Sequence, residues 1–85
     1  MTYTNKTIEE VKETLDYFGK DTQRKRKTFV NKWIADNNYI LDHIEPQIKE
    51  KGFAWHLGQR MYPNDLRAIK QENALLIENF DTIIN

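Results

Sequence analysis

Two histidines, His43 and His56, are the first place to look for chemistry in this 85-residue sequence. An imidazole titrates near neutral pH and ligates metals, so a pair could support acid–base or metal chemistry. Here a proline and a glycine separate them, neither has a second histidine at helical metal spacing, and no carboxylate pair completes a site. Asp42 adjoins His43, but sequence neighbours point to different faces of a helix. The chain has no cysteine, no glycine-rich phosphate loop and no serine nucleophile elbow. A chain this short rarely encloses a pocket by itself. The expectation is a non-enzymatic protein without cofactor or metal.

What remains is recognition through charge and aromatic rings. Net charge is zero, yet residues 20–32 carry six cations against one carboxylate. Arg24, Lys25, Arg26 and Lys27 are contiguous and Lys32 follows; such side chains neutralise phosphates and make binding salt-dependent. Cations in the first turns of a helix oppose its dipole, a local cost that a phosphate-bearing or acidic partner would explain. The alternative is an ordinary solvated charged face. Residues 33–50 reverse the sign, with four carboxylates against one lysine. Asp42, Glu45 and Glu50 could therefore form an acidic face for a protein that itself handles nucleic acid. Trp33 and Trp55 read first as core. Trp55, between a glycine and a basic turn, is the better candidate for an exposed partner anchor.

The elements that must position these residues are mostly helical. Thr7-Ile8-Glu9-Glu10 has the capping-box pattern, and Ile8, Val11, Leu15 and Phe18 form one stripe that Gly19 ends. Residues 1–6 carry no periodic signal and read as a loose start. Asp21 or Thr22 can cap a second helix with Phe29, Val30, Trp33 and Ile34 at core spacing. Beyond Asn37-Asn38 the stripe resumes with Tyr39, Ile40, Leu41, Ile44 and Ile48. Pro46 predicts a kink or restart, so residues 22–51 are one bent helix or two.

Phe53 to Leu57 alternates with the period of a half-buried strand, and a short hairpin over 53–62 follows. Asn64 is the expected cap of a last helix. That helix carries Leu66, Ile69, Leu76, Ile77, Phe80, Ile83 and Ile84 on one stripe, interrupted by Asn73. The stripe is broad enough that Phe80, Ile83 and Ile84 could join two copies into a homodimer. The fold class is mainly α: a single-domain bundle of three to four helices with a short hairpin. No apolar run approaches the roughly 18 residues of a membrane helix, so a cytoplasmic address away from membranes is expected.

Gly58-Gln59-Arg60-Met61-Tyr62, followed by Asp65-Leu66 and Ile69, resembles the wing and following helix of MerR-like and excisionase-type winged helix-turn-helix proteins. The resemblance covers about a dozen residues. It implies that Arg60 approaches the DNA backbone while an upstream helix enters the major groove. Two residues separate Tyr62 from Asp65, one fewer than in the MerR type. The run from Phe29 to Ile48 is too continuous to assign a recognition helix. The expected function is a small nucleic-acid-binding regulator. The alternative is a protein-binding module, encoded by a phage or mobile element, that inhibits a host or defence protein.

Overall fold

A computed structural model of the chain describes residues 7–85; the expected loose start at 1–6 lies outside the described residues. Helix α1 (Ile8–Tyr17) opens where Thr7 Oγ1 accepts the Glu10 N–H at 3.2 Å, one half of the capping box. It closes at Gly19, whose φ of +71° lets two amides fold back. Lys20 N–H reaches the Leu15 carbonyl at 2.9 Å and Gly19 N–H reaches Asp16 at 3.0 Å, a Schellman stop.

Helix α2 (Gln23–Lys51) settles the question of one helix or two: it is a single run of 29 residues, capped by Thr22, whose hydroxyl accepts the Lys25 N–H at 3.2 Å. At 1.5 Å per residue it is about 43 Å long, and the molecule measures 42 × 20 × 19 Å. Pro46 does not restart it. A proline inside a helix costs about 3 kcal/mol, but Pro46 is exposed, so the carbonyl it frees stays within reach of water. Ile44 and Ile48 straddle it and are both buried, and their burial offsets the loss.

Strands β1 (Ala54–His56) and β2 (Gln59–Met61) pair antiparallel, with Ala54 opposite Met61, Trp55 opposite Arg60 and His56 opposite Gln59. Alternation is present as expected. The buried face belongs to Ala54 and Met61, so Phe53, Trp55 and Leu57 turn outward. A methyl side chain at position 54 lets the hairpin lie close over Ile44 and Ile48. Leu57 and Gly58 both have positive φ, +50° and +77°, the pattern of a two-residue primed turn. Leucine bears a steric penalty there. Leu57→Asn is therefore expected to stabilise the fold by about 1 kcal/mol in urea denaturation. An unchanged midpoint would show that Leu57 is unstrained.

Helix α3 (Pro63–Glu78) begins two residues earlier than expected. Tyr62 occupies the cap position, Pro63 the first turn, and the Asp65 carboxylate accepts the Tyr62 N–H at 2.9 Å. Asn64 is not the cap; its side-chain oxygen accepts from Arg67. The chain then breaks at Asn79, whose side-chain amide donates to the Leu75 carbonyl at 3.1 Å, and helix α4 (Phe80–Ile84) follows.

Two apolar clusters result. Val11, Leu15, Val30, Leu76 and Ile83 fill one end; Ile44, Ile48, Ala54, Met61 and Ile69 fill the other. Between them α2 and α3 face each other with amides and a carboxylate. Asn37 Nδ2 donates to Glu72 Oε1 at 3.5 Å and Asn73 Nδ2 to Asn38 Oδ1 at 2.8 Å, while Asn73 Oδ1 has no partner among the described residues. Phe18 and Tyr39, expected on core stripes, are exposed instead. Phe18 lies where α1 is already turning into the Gly19 stop, and Tyr39 points away from the side of α2 that meets α3.

Candidate functional site

The basic block occupies the first two turns of α2. Its four members have different surroundings. Arg26 is consumed by the fold: its guanidinium donates to the Lys20 carbonyl at 2.8 Å, the Asn85 main-chain oxygen at 3.1 Å and Asp16 Oδ1 at 3.1 Å. It ties the α1–α2 turn and the segment after α4 to α2, and with a side chain only 20% exposed it is not a surface phosphate contact. That corrects its place among the nucleic-acid candidates. The groups that bind it lie 6, 10 and 59 residues away in sequence, and the two more distant ones are beyond any local signal.

Lys25 pairs with Asp21 at 3.2 Å and Lys32 with Asp36 at 3.1 Å, both one helical turn apart and well exposed. The hydrogen bond and charge of Lys25 hold the Asp21 carboxyl below its usual range. Exposed pairs of this kind are worth little, so a phosphate can displace the carboxylate. Arg24 and Lys27 are exposed and have no ion-pair partner among the described residues. Lys20 joins them from the turn before α2, its ammonium 5.6 Å from the centre of the Phe29 ring.

Rings lie beside these cations. Phe18 and Phe29 are 5.5 Å apart between centres and Phe29 and Trp33 are 6.0 Å apart. Phe18 is 55% exposed. Lys20 and the surface position of Phe18 escaped the sequence reading. One signal could have found the face: Lys25, Phe29, Lys32, Trp33 and Asp36 recur at steps of four, three, one and three, a single helical stripe mixing cations with rings.

Arg60 is elsewhere. Its guanidinium lies 5.2 Å from the ring centres of both Phe53 and Trp55, which holds it on the outer face of the hairpin. From Lys25 to the end of α2 is about 40 Å, so Arg60 and the basic block stand at opposite ends of the molecule. The hairpin exists, but the helix leading into it is one long rod rather than a helix–turn–helix pair.

The hairpin end has its own exposed groups. Trp55 is 50% and Leu57 90% exposed, and Tyr39 of α2 lines a hollow with His56 and Leu57. Folding also brings His43 and His56 together, 5.5 Å between ring centres, although the sequence separates them. Among the described residues no three of His, Cys, Asp and Glu gather as a metal site.

Asp42, Glu45 and Glu50 share one broad arc of α2, but Glu45 is drawn toward α3 by Lys70. Glu45 and Glu50 are about 140° apart around α2. Glu45 is held by Lys70 of α3 at 2.5 Å, whose hydrogen bond and charge keep its carboxyl below the usual range, and by Lys49 at 4.0 Å. Phe80, Ile83 and Ile84 are not a free seam. Ile83 and Ile84 are buried, and Phe80 packs against the first cluster, because the break at Asn79 turns α4 inward. No helix among the described residues is long and apolar enough to cross a membrane. The chain matches no protein-family model, and comparisons with curated proteins and with solved structures find no match.

Proposed function

We propose that this chain is a small non-catalytic regulator that binds nucleic acid through the start of α2. One observation carries the reading: Lys20, Arg24, Lys25, Lys27 and Lys32 gather at one end of an elongated molecule whose net charge is zero. A neutral protein with one basic end presents a polyanion with a single attractive surface, and its acidic remainder disfavours wrapping. The wing resemblance contributes a hairpin but not this surface.

Replacing Arg24, Lys25, Lys27 and Lys32 together by glutamine is expected to weaken binding to a mixed-sequence labelled duplex more than about tenfold at low salt. It should also reduce the slope of log affinity against log salt by about 3. Arg26 stays in place, since its removal would test folding instead. Fluorescence anisotropy across a salt series measures both quantities. Unchanged affinity and slope would overturn the proposal.

A second reading, a protein-binding inhibitor, is favoured by the hairpin end, where Trp55 and Leu57 are exposed and Tyr39 shares a hollow with Leu57. Absence of nucleic-acid binding even at low salt would move the function there.

A further inference from the structure

Resting on the nucleic-acid reading above, we propose that its ligand is single-stranded: the strip of Phe18, Phe29 and Trp33 stacks bases while Lys20, Arg24, Lys25 and Lys32 hold the phosphates.

The strip and the cations line adjoining hollows. A groove of 320 Å³ is walled by Thr14, Phe18, Phe29, Lys32, Trp33 and Asp36. Its neighbour, of 450 Å³, has Lys20, Arg24, Lys25 and Lys32 along its sides and shares Phe29 with the first. Rings line the first hollow and cations the second, and Phe29 and Lys32 belong to both, so a strand crossing them meets rings on one side and charges on the other. That is the arrangement a flexible strand requires, because every base has a π-face and every linkage a negative charge.

A duplex suits this surface less well. Its bases are already stacked on one another, so the rings would gain no partner. The Phe29 side of α2 is also walled by the end of α1, through the Phe18–Phe29 contact. It is therefore a channel and not a protruding helix edge, which is what a major groove about 12 Å wide admits.

Negative charge sets the limits of the track. Asp36 closes one end, and Glu10 and Glu13 line the far side of Phe18, so phosphates are confined to the lysine side. Lys25 to Asp36 spans roughly 16 Å of helix, room for a few bases. Simple aromatic–aromatic packing explains the ring contacts but not why four cations border them.

The test uses the full chain carrying Trp55→Phe, which leaves Trp33 as the single tryptophan reporter. It is titrated at low salt with oligothymidylate, with oligouridylate and with a mixed-sequence duplex of equal length. Single strands are expected to bind at least about fivefold more tightly than the duplex and to quench Trp33 emission. Oligodeoxyuridylate beside oligouridylate, which share a base and differ only at the 2′ position, identifies the sugar preferred.

Phe18→Ala, at a half-exposed position, should weaken strand binding by about fivefold or more with the salt slope unchanged. Phe18→Tyr should restore it, and thermal melting confirms that both variants fold. Equal or tighter duplex binding, or a Phe18→Ala variant that binds strands normally, overturns the single-strand proposal and leaves the charge-based reading standing. No binding to any of the oligonucleotides overturns both.

Discussion

Ile83→Ala is expected to cost about 3 kcal/mol of folding stability, whereas Ile77→Ser should change it by less than about 0.5 kcal/mol. Both residues belong to one apolar stripe in the sequence. Ile83 is fully buried with Val11, Leu15, Val30 and Leu76, while Ile77 is 55% exposed. Helix α4 has five residues and no stability of its own. Its place depends on Ile83 and Ile84, helped by the Arg26 hydrogen bond to Asn85 and the Gln23–Asn85 bond at 2.8 Å. Truncating Ile83 leaves a void that the short helix can close only by shifting away from α1. For a domain of this size the loss is a large share of the total.

Urea denaturation at two protein concentrations measures the effect and tests the homodimer expectation together. If the stripe joined two copies, both substitutions would lower a concentration-dependent midpoint. If it is core, only Ile83→Ala moves the midpoint, equally at both concentrations. A silent Ile83→Ala would refute the described docking of α4.

The polar layer between the two clusters should respond in opposite directions to one and to three substitutions. Glu72 is 4% exposed and has no cation paired with it among the described residues; its hydrogen-bond partner is Asn37. Asn37→Leu strands that carboxylate in a near-dry interface and is expected to cost about 2 kcal/mol. Replacing Asn37, Glu72 and Asn73 together by leucine removes every buried polar group in the layer, including the unpartnered Asn73 Oδ1. The exposed Asn38 can turn to water. The triple variant is therefore expected to exceed the natural protein by about 1 kcal/mol or more.

What it should lose is register. Asn37 sits on the same stripe as Val30 and Ile44, seven residues to either side, so an all-apolar α2 could slide against α3. The measurements are the urea midpoint and the dispersion of amide resonances. A triple variant less stable than Asn37→Leu would remove the account.

Much of the fold was legible because its signals are local. Thr7, Thr22 and Gly19 act on groups within five residues, so the ends of α1 and the start of α2 follow from composition and spacing, whereas α3 starts from a Tyr62 cap and not from Asn64. The alternation from Phe53 to Leu57 likewise marks a hairpin strand. The basic block is visible for the same reason: charge density is a property of adjacent letters.

Other features were decided only by tertiary packing, and each depends on a partner far along the chain. Which side of the hairpin is buried depends on Ile44 and Ile48, against which Ala54 fits and a tryptophan would not. Arg26 became a tie and not a ligand contact because Asp16 and Asn85 converge on it. The asparagines at 37, 38 and 73 read as interruptions in two separate stripes, until α2 and α3 align and hydrogen bonds across 35 residues join them into one layer. Continuity through Pro46 rests on the same physics: a local penalty near 3 kcal/mol yields when flanking isoleucines gain a shared core. The sequence by itself determined where α1 and α2 start and where charge collects. Tertiary structure decided which of those charges and rings remain on the surface, since burial is set by contacts that no local spacing encodes.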